Sequence, residues 1–403
     1  MVDQDNIAVR VARSVPEVEA LREPWTSWPG QRDSDIDFYL MVLQAYPEML
    51  RPHVVAIYRG GKPDAILVGR LDRKKVAFNV GYVRGLGSWA RCLTFVYGAI
   101  HGNASPENTR ILVDEVMNSL KRDEADVALL EFVPLDSDLY HIALKAPGGL
   151  SRDTRPKSQG HEILVVPDSI DEIYRRMSGT RREGIRRGIR KFLTRADGKA
   201  RIECYRHESE LDLLFRDAEE VAKKTYQRGL GAGFANTLEV RERVGLAARK
   251  GWLRAYLLYV DDCPVAFWIG TIYNESFTSE YLGYDPKFRQ FSPGMFLIMR
   301  VIEGFCSRAG GDVVKELDFG LGDAEYKAAL CSRGWLEASI YIFAPTLKGM
   351  GLKGMRATAR VVDGTARKLL VSTNLLPRLK RVWRDHLRKG GGTKAASPGV
   401  QTG

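Results

Sequence analysis

At 403 residues with 44% hydrophobic content, the chain exceeds what one hydrophobic core usually serves, so two domains and a tail are expected. The net charge of +11 would suggest a polyanion partner, but it is localised: from Thr346 onward there are thirteen Lys/Arg and two Asp, and the first 345 residues hold forty-eight bases against forty-eight acids. The five cysteines (Cys92, Cys204, Cys263, Cys306, Cys331) are scattered, with no CxxC pair or Cys/His cluster, so structural thiols and no metal are expected.

The first twenty residues lack the apolar core of a signal peptide, and no apolar run reaches the roughly 18 residues that span a bilayer, so a soluble, cytoplasmic protein is expected. Val54–Arg59 and Ala65–Leu71 then form a predicted hairpin turned by Gly60-Gly61-Lys62-Pro63. More strand-like sequence follows, then a helix entered at Ser105-Pro106 and a strand over Asp126–Phe132. Pro147-Gly148-Gly149 through Gly160 reads as a linker.

Beyond it the patterning predicts strand 162–167, a basic helix 171–194, strand 201–206, and helices 208–227 and 237–250. A meander follows (253–260, 264–273, 276–284), then helix 293–309, strand 315–319, a short helix 323–330 and strand 337–343. Ala255–Val260 and Val265–Thr271, turned by Asp261-Asp262-Cys263-Pro264, repeat the first hairpin 201 residues later, and Ser292-Pro293 repeats the helix entry. Two related halves are implied, 1–150 and 161–345, each α+β with a mixed central sheet and helices on both faces.

The tail, 346–403, has helix-compatible apolar spacing among arginines over 353–388, a break near Pro377, and a Gly/Ser-rich end that should be disordered from about 390. Such a basic amphipathic helix either packs on the body or meets an anionic surface, which would make the protein peripheral to the inner face of the plasma membrane.

Three clusters could carry chemistry. In Tyr284-Asp285-Pro286-Lys287-Phe288-Arg289-Gln290-Phe291-Ser292-Pro293-Gly294-Met295 a basic loop enters a helix; Ser292 suits the N-cap, Pro293 the first position, and Gly294 leaves the free N–H groups open to a ligand. No acid appears in that helix before Glu303, so its dipole invites an anion, whereas Glu107 already satisfies the corresponding helix of the first half. In Leu317–Lys327 a strand end and glycine turn precede Asp323, a helix cap by position, and Tyr326 and Lys327, an acid for a leaving thiolate and a cation for phosphate or oxyanion. Glu280 shares a predicted strand face with Thr278 and Leu282, as a general base or as a paired charge.

The order of meander, basic loop, helix, strand and short helix, with Gly283-Tyr284-Asp285-Pro286, Ser292-Pro293-Gly294 and Leu317-Asp318-Phe319-Gly320-Leu321-Gly322-Asp323-Ala324-Glu325-Tyr326-Lys327, resembles the GNAT acyltransferases. Within them it is similar to the CelD-like branch linked with polysaccharide biosynthesis, akin to the Fem-type transferases. The resemblance spans about 15–345, with its motifs in 283–327, and implies tandem GNAT-like halves, the first degenerate.

It also implies acetyl-CoA or another acyl-CoA as donor, with Arg289, Ser292, Gly294 and Met295 around the pyrophosphate and Tyr281, Leu282 and Gly283 beside the thioester. The glycine spacing after Arg289 departs from the usual Gln/Arg-x-x-Gly-x-Gly/Ala loop. Glu280, Tyr326 and Lys327 are the implied catalytic set, and the acceptor, a small molecule or a glycan- or lipid-linked group, is left open. Two alternatives remain: a Fem-type transferase using aminoacyl-tRNA, with the nine bases of Arg175–Arg195 on RNA, and a non-catalytic envelope-assembly scaffold. Aromatics for base stacking are nearly absent from that basic stretch, so nucleic acid is the weaker expectation.

Overall fold

The computed structural model describes residues 7–78, 87–153, 156–225, 228, 233–308, 310–321 and 326–372. The chain divides into two compact units, one of Met1–Gln159 with Leu336–Pro377, the other chiefly Gly160–Trp335.

The first unit opens with β1 (Ile7–Ala12), α1 (Val15–Glu19), α2 (Arg22–Ser27) and α3 (Ile36–Ala45), followed by β2 (Met49–Pro52), β3 (Val54–Arg59) and β4 (Lys62–Ala77). β5 (Gly87–Gly102), α4 (Pro106–Lys121), β6 (Val127–Pro134) and α5 (Asp138–Lys145) complete its first stretch. The predicted hairpin is β3–β4, and Gly60 and Gly61 hold its turn at φ +56° and +79°, a region glycine enters without a Cβ clash. Ser105 caps α4 by accepting from Asn108 N, as the Ser-Pro signal required.

The second unit runs β7 (Ser158–Val165), α6 (Ile170–Arg176), α7 (Gly179–Ala196), β8 (Ala200–Tyr205), α8 (Leu211–Ala222), α9 (Leu238–Arg249), β9 (Leu253–Val260), β10 (Cys263–Tyr273) and β11 (Ser276–Tyr284). α10 (Pro293–Ser307), β12 (Glu316–Leu321) and α11 (Lys327–Leu330) follow. The predicted basic helix is therefore two helices. Met177 leaves the helical region at ψ 150°, and the Ser178 hydroxyl accepts from Arg181 N to start α7 afresh, because a serine side chain offers those amides an alternative partner. Of the short helix expected over 323–330, residues 323–325 lie outside the described residues.

The chain's last described elements are β13 (Arg333–Phe343) and α12 (Leu347–Ser372). They correct the expected boundary at 345. From Leu336 onward β13 belongs to the first unit, paired antiparallel with β6 (Ile340 to Leu130, Phe343 to Val127), and its place beside β12 is taken by β7.

The two strand orders then match. The first unit reads β1-β3-β4-β5-β6-β13 and the second β8-β9-β10-β11-β12-β7, and in both only the fourth pair, β5–β6 or β11–β12, is parallel. The tandem α+β expectation is met at the level of strand order and sense.

Strand alternation builds the cores. In β10, Ala266 and Trp268 pack with α6, α7 and α10, whereas Phe267 and Ile269 pack with α8 and α9. In β6, Ala128 and Leu130 join the main core of the first unit, and Val127 and Leu129 face the opposite way, toward Phe343 and Leu352 of α12. α12 is thus part of the first unit and begins at Leu347, not 353; the sequence after 372, with the expected break at Pro377 and the Gly/Ser-rich end, lies outside the described residues.

Candidate active site

β11 and β12 run parallel for three residue pairs, Ser276–Thr278 against Glu316–Asp318, and among the described residues the pairing ends there. The separation coincides with a bulge in β11. Ile269 of β10 pairs with Tyr281 and Gly270 with Ser279, leaving Glu280 as the extra residue.

The bulge corrects the expected alternation. Leu282 lies on the α10 side, whereas Glu280 and Tyr281, though consecutive, both reach Arg243 of α9. Arg243 Nε lies 3.3 Å from Glu280 Oε2, with both side chains largely buried, and its guanidinium also donates to the Tyr281 hydroxyl. Tyr281 is held edge-on against Phe234, with centroids 5.4 Å apart. The Glu280 carboxylate is thus held beside a guanidinium. Gly283 is needed for packing: a Cβ there would stand 2.6 Å from the Phe267 ring.

After β11, Asp285 turns the chain. It is buried, accepts from Lys287 N at 2.9 Å, and pairs with Lys224 Nζ at 3.0 Å, which shapes the helical turn Pro286–Phe291 carrying exposed Arg289. Ser292 follows with φ +53° and makes no side-chain cap, contrary to expectation, since the left-handed turn aims its hydroxyl elsewhere; a Cβ on Gly188 of α7 would lie 3.3 Å from its Oγ. Pro293 holds the first helical position and Gly294 the next, both buried, and no acid lies in the first turn. Gly294 serves close packing, since a Cβ there would meet the Tyr284 ring at 3.2 Å.

The starts of α7 and α10 line one groove of about 500 Å³, with Ser178, Thr180, Arg181, Gly184, Gly188, Ser292 and Met295 in its wall. Neither helix has an acidic residue in its first turn, so the N-terminal dipoles of both favour an anion there. At Gly184 a Cβ would meet nothing within 4 Å. Gly184 and Gly188 escape a sequence reading that treats 171–194 as a uniform basic face; their four-residue spacing, one smooth stripe on a helix, was the available signal.

Beyond the strand separation, Tyr326 stands edge-on to Phe319, which stacks on Trp268, whose indole N–H donates to Ser279 Oγ at 2.8 Å beside the bulge. Lys327, expected as a cation for phosphate or oxyanion, is buried and donates to Gly320 O at 3.2 Å, which ties it to the strand end. The sequence reading also missed buried His161, whose Nε2 lies 2.8 Å from Asp318 Oδ1 and whose ring stacks on Trp335 at 4.3 Å. Burial pushes the Cys331 thiol up to about 12 and Cys306 to about 11, so neither is a thiolate nucleophile near neutral pH. Among the described residues there is no cluster of potential metal ligands and no helix long and apolar enough to cross a membrane.

Residues 179–328 match the acetyltransferase (GNAT) domain family. No curated protein matches the chain. Among solved structures, FemX is similar at 12% identity and a TM-score of 0.53, over 81% of this chain and 96% of FemX, a likeness of fold. L-PGS from Bacillus licheniformis is 13% identical with a TM-score of 0.46, over 87% of this chain and 96% of its own. A tandem GNAT protein from the clavulanic acid biosynthesis pathway is 12% identical with a TM-score of 0.45, over 85% and 99%.

Proposed function

We propose that the second unit is an acyl-CoA-dependent acyltransferase, with acetyl-CoA the first donor to test, that moves the acyl group to an amine or hydroxyl of a glycan-linked, lipid-linked or small acceptor. The observation that carries this reading is the acid-free groove between the starts of α7 and α10, within the stretch that matches the GNAT domain. Phosphates suit that groove, Arg181 supplies charge in its wall, exposed Arg289 lies three residues before Ser292, and the thioester would lie along β11 near Tyr281–Gly283.

The acceptor's nucleophile attacks the thioester carbon and loses its proton to Glu280 or to a water that Glu280 orients. A β11 amide polarises the carbonyl, and Tyr326 protonates the departing thiolate. A CelD-like role in polysaccharide biosynthesis fits this chemistry. A Fem-type use of aminoacyl-tRNA is the second reading, supported by the FemX-like fold.

Titration calorimetry with acetyl-CoA tests the groove. Gly184→Asp adds bulk and negative charge where the fold leaves open space. It should lower acetyl-CoA affinity at least about tenfold, or about 1.4 kcal/mol, without lowering the melting temperature. Unchanged affinity would remove the groove as donor site, and wild-type protein that retains aminoacyl-tRNA but not acetyl-CoA would favour the second reading.

A further inference from the structure

Ion pairs are spread over both units, yet the outer face of α6 and α7 departs from that pattern. Arg175, Arg187, Lys191 and Arg195 are exposed and have no ion pair among the described residues, while Arg176 and Arg190 are matched by Glu172 and Glu183. Asp171 is the remaining acid of these two helices. Leu193, 42% exposed, lies among these cations.

Beside this face is a groove of about 240 Å³ between α6, α7 and α10, separate from the glycine-lined one. Its floor is apolar, made by Ile170, Tyr174, Ile189 and Met299, and its rim carries three cations, Arg186, Arg190 and Arg300, and one acid, Glu303. Arg186 lies over the Tyr174 ring at 4.9 Å, Arg190 holds Glu183 at 2.5 Å, and Arg300 holds Glu303 at 2.7 Å. All three arginines are exposed, so these surface pairs are weak enough to exchange for a ligand's phosphate.

An apolar floor under a guanidinium rim has the polarity of an anionic lipid: carbon chain inward, phosphate outward. The volume exceeds the roughly 150 Å³ that accommodates a benzene ring. We infer that the α6–α7–α10 groove binds the head and upper chain of an anionic phospholipid in a bilayer, and that the exposed basic face of α7 seats the enzyme on that surface. RNA fits less well, because the face presents no stacking platform of exposed aromatics and an apolar floor offers nothing to a phosphodiester backbone. The inference does not rest on the identity of the acyl donor, although it would direct the search toward membrane-borne acceptors.

The test is co-sedimentation of the full chain at near-physiological salt with phosphatidylcholine vesicles, alone or with about one third phosphatidylglycerol. The protein should pellet with the anionic vesicles only, and Arg186→Gln/Arg190→Gln/Arg300→Gln, all surface changes, should weaken that binding at least about tenfold. Undiminished binding by the triple variant would overturn the inference, because the basic tail would then suffice. Calorimetry separates the sources of phosphate: dihexanoyl-phosphatidylglycerol should bind at least tenfold tighter than glycerol phosphate, and equal affinities would make the site one for free phosphate. A single-stranded RNA bound more tightly than the lipid, and lost in the triple variant, would make the face a nucleic-acid surface. Acetyl-CoA titration of the same variant reports separately on the donor site.

Discussion

Tyr326 stands edge-on to Phe319, and the Phe319–Trp268 stack, with the Trp268 N–H on Ser279, links it to β11. If it protonates the CoA thiolate, Tyr326→Phe should slow the chemical step about 10²-fold with acetyl-CoA affinity nearly unchanged, in stopped-flow turnover once an acceptor is known. A variant as fast as wild type would refute the acid role, and one that no longer binds CoA would make Tyr326 a binding residue. Two histidines of the first unit make a different prediction. Burial lowers His53 to about 3 and His101 to about 4, so both are neutral when folded, whereas an unfolded imidazole takes a proton below about 6.5. Their contribution is complete above about pH 6.5 and is lost as pH falls toward 3–4, at up to about 1.4 kcal/mol per pH unit for each. His101 packs near the Trp25 ring at 5.7 Å, so His101→Leu should fold and flatten the fall in urea stability between pH 6.5 and 4.5. An unaltered slope would assign the acid sensitivity to other groups.

α12 shows how one helix can carry two roles that sequence alone does not separate. Of the two expectations for the tail helix, packing on the body or contact with an anionic surface, its described part does the first: Leu352 is buried against the β6 face, and Arg356 and Arg360 converge on buried Asp153 at 2.7 and 3.1 Å. Arg356 also lies over the Tyr341 ring at 4.0 Å. Burial, then the neighbouring Arg356, lower the Arg360 pKa, so Asp153 is what makes two adjacent guanidiniums tolerable. Asp153→Asn leaves that pair without its counter-charge and should cost about 3–5 kcal/mol in urea unfolding. Truncation at Pro345 should likewise destabilise the first unit, and a truncated chain melting with wild-type cooperativity would show that α12 only rests on the sheet. Residues after 372 retain the expectation of contact with an anionic surface; the arginines within α12 that hold Asp153 are not available for it.

Because β13 returns to the first unit, that unit is discontinuous in sequence, and a contiguous fragment from either half is not self-sufficient. A fragment 1–159 would leave β6 without β13, exposing the edge of Val127–Pro134, and a fragment 160–345 would carry Ile340, Ile342 and Phe343 without their β6 partners Leu130, Ala128 and Val127. Both fragments should aggregate when expressed alone, and 1–159 should become soluble when 336–377 is fused to it or supplied in trans. Light scattering decides: a monomeric, cooperatively folding 1–159 would show that the sixth strand is dispensable.

Local chemistry determined much of this protein in advance. The Gly-Gly and Asp-Asp turns, the apolar alternation of β9 and β10, and the Ser-Pro helix entries specified the hairpins, the repeat and the helix whose start lines the groove with α7, because each depends on residues a few positions apart. Only tertiary structure decided the rest. The bulge that turns Glu280 toward Arg243, the left-handed Ser292 beside Gly188, the burial of Lys327 and the passage of β13 into the first unit each involve a partner remote in sequence. Strand period and capping rules say what a residue can do along its own element; which neighbour it meets is set by how the sheets close, and pairing energies between distant segments leave no periodic trace in the chain.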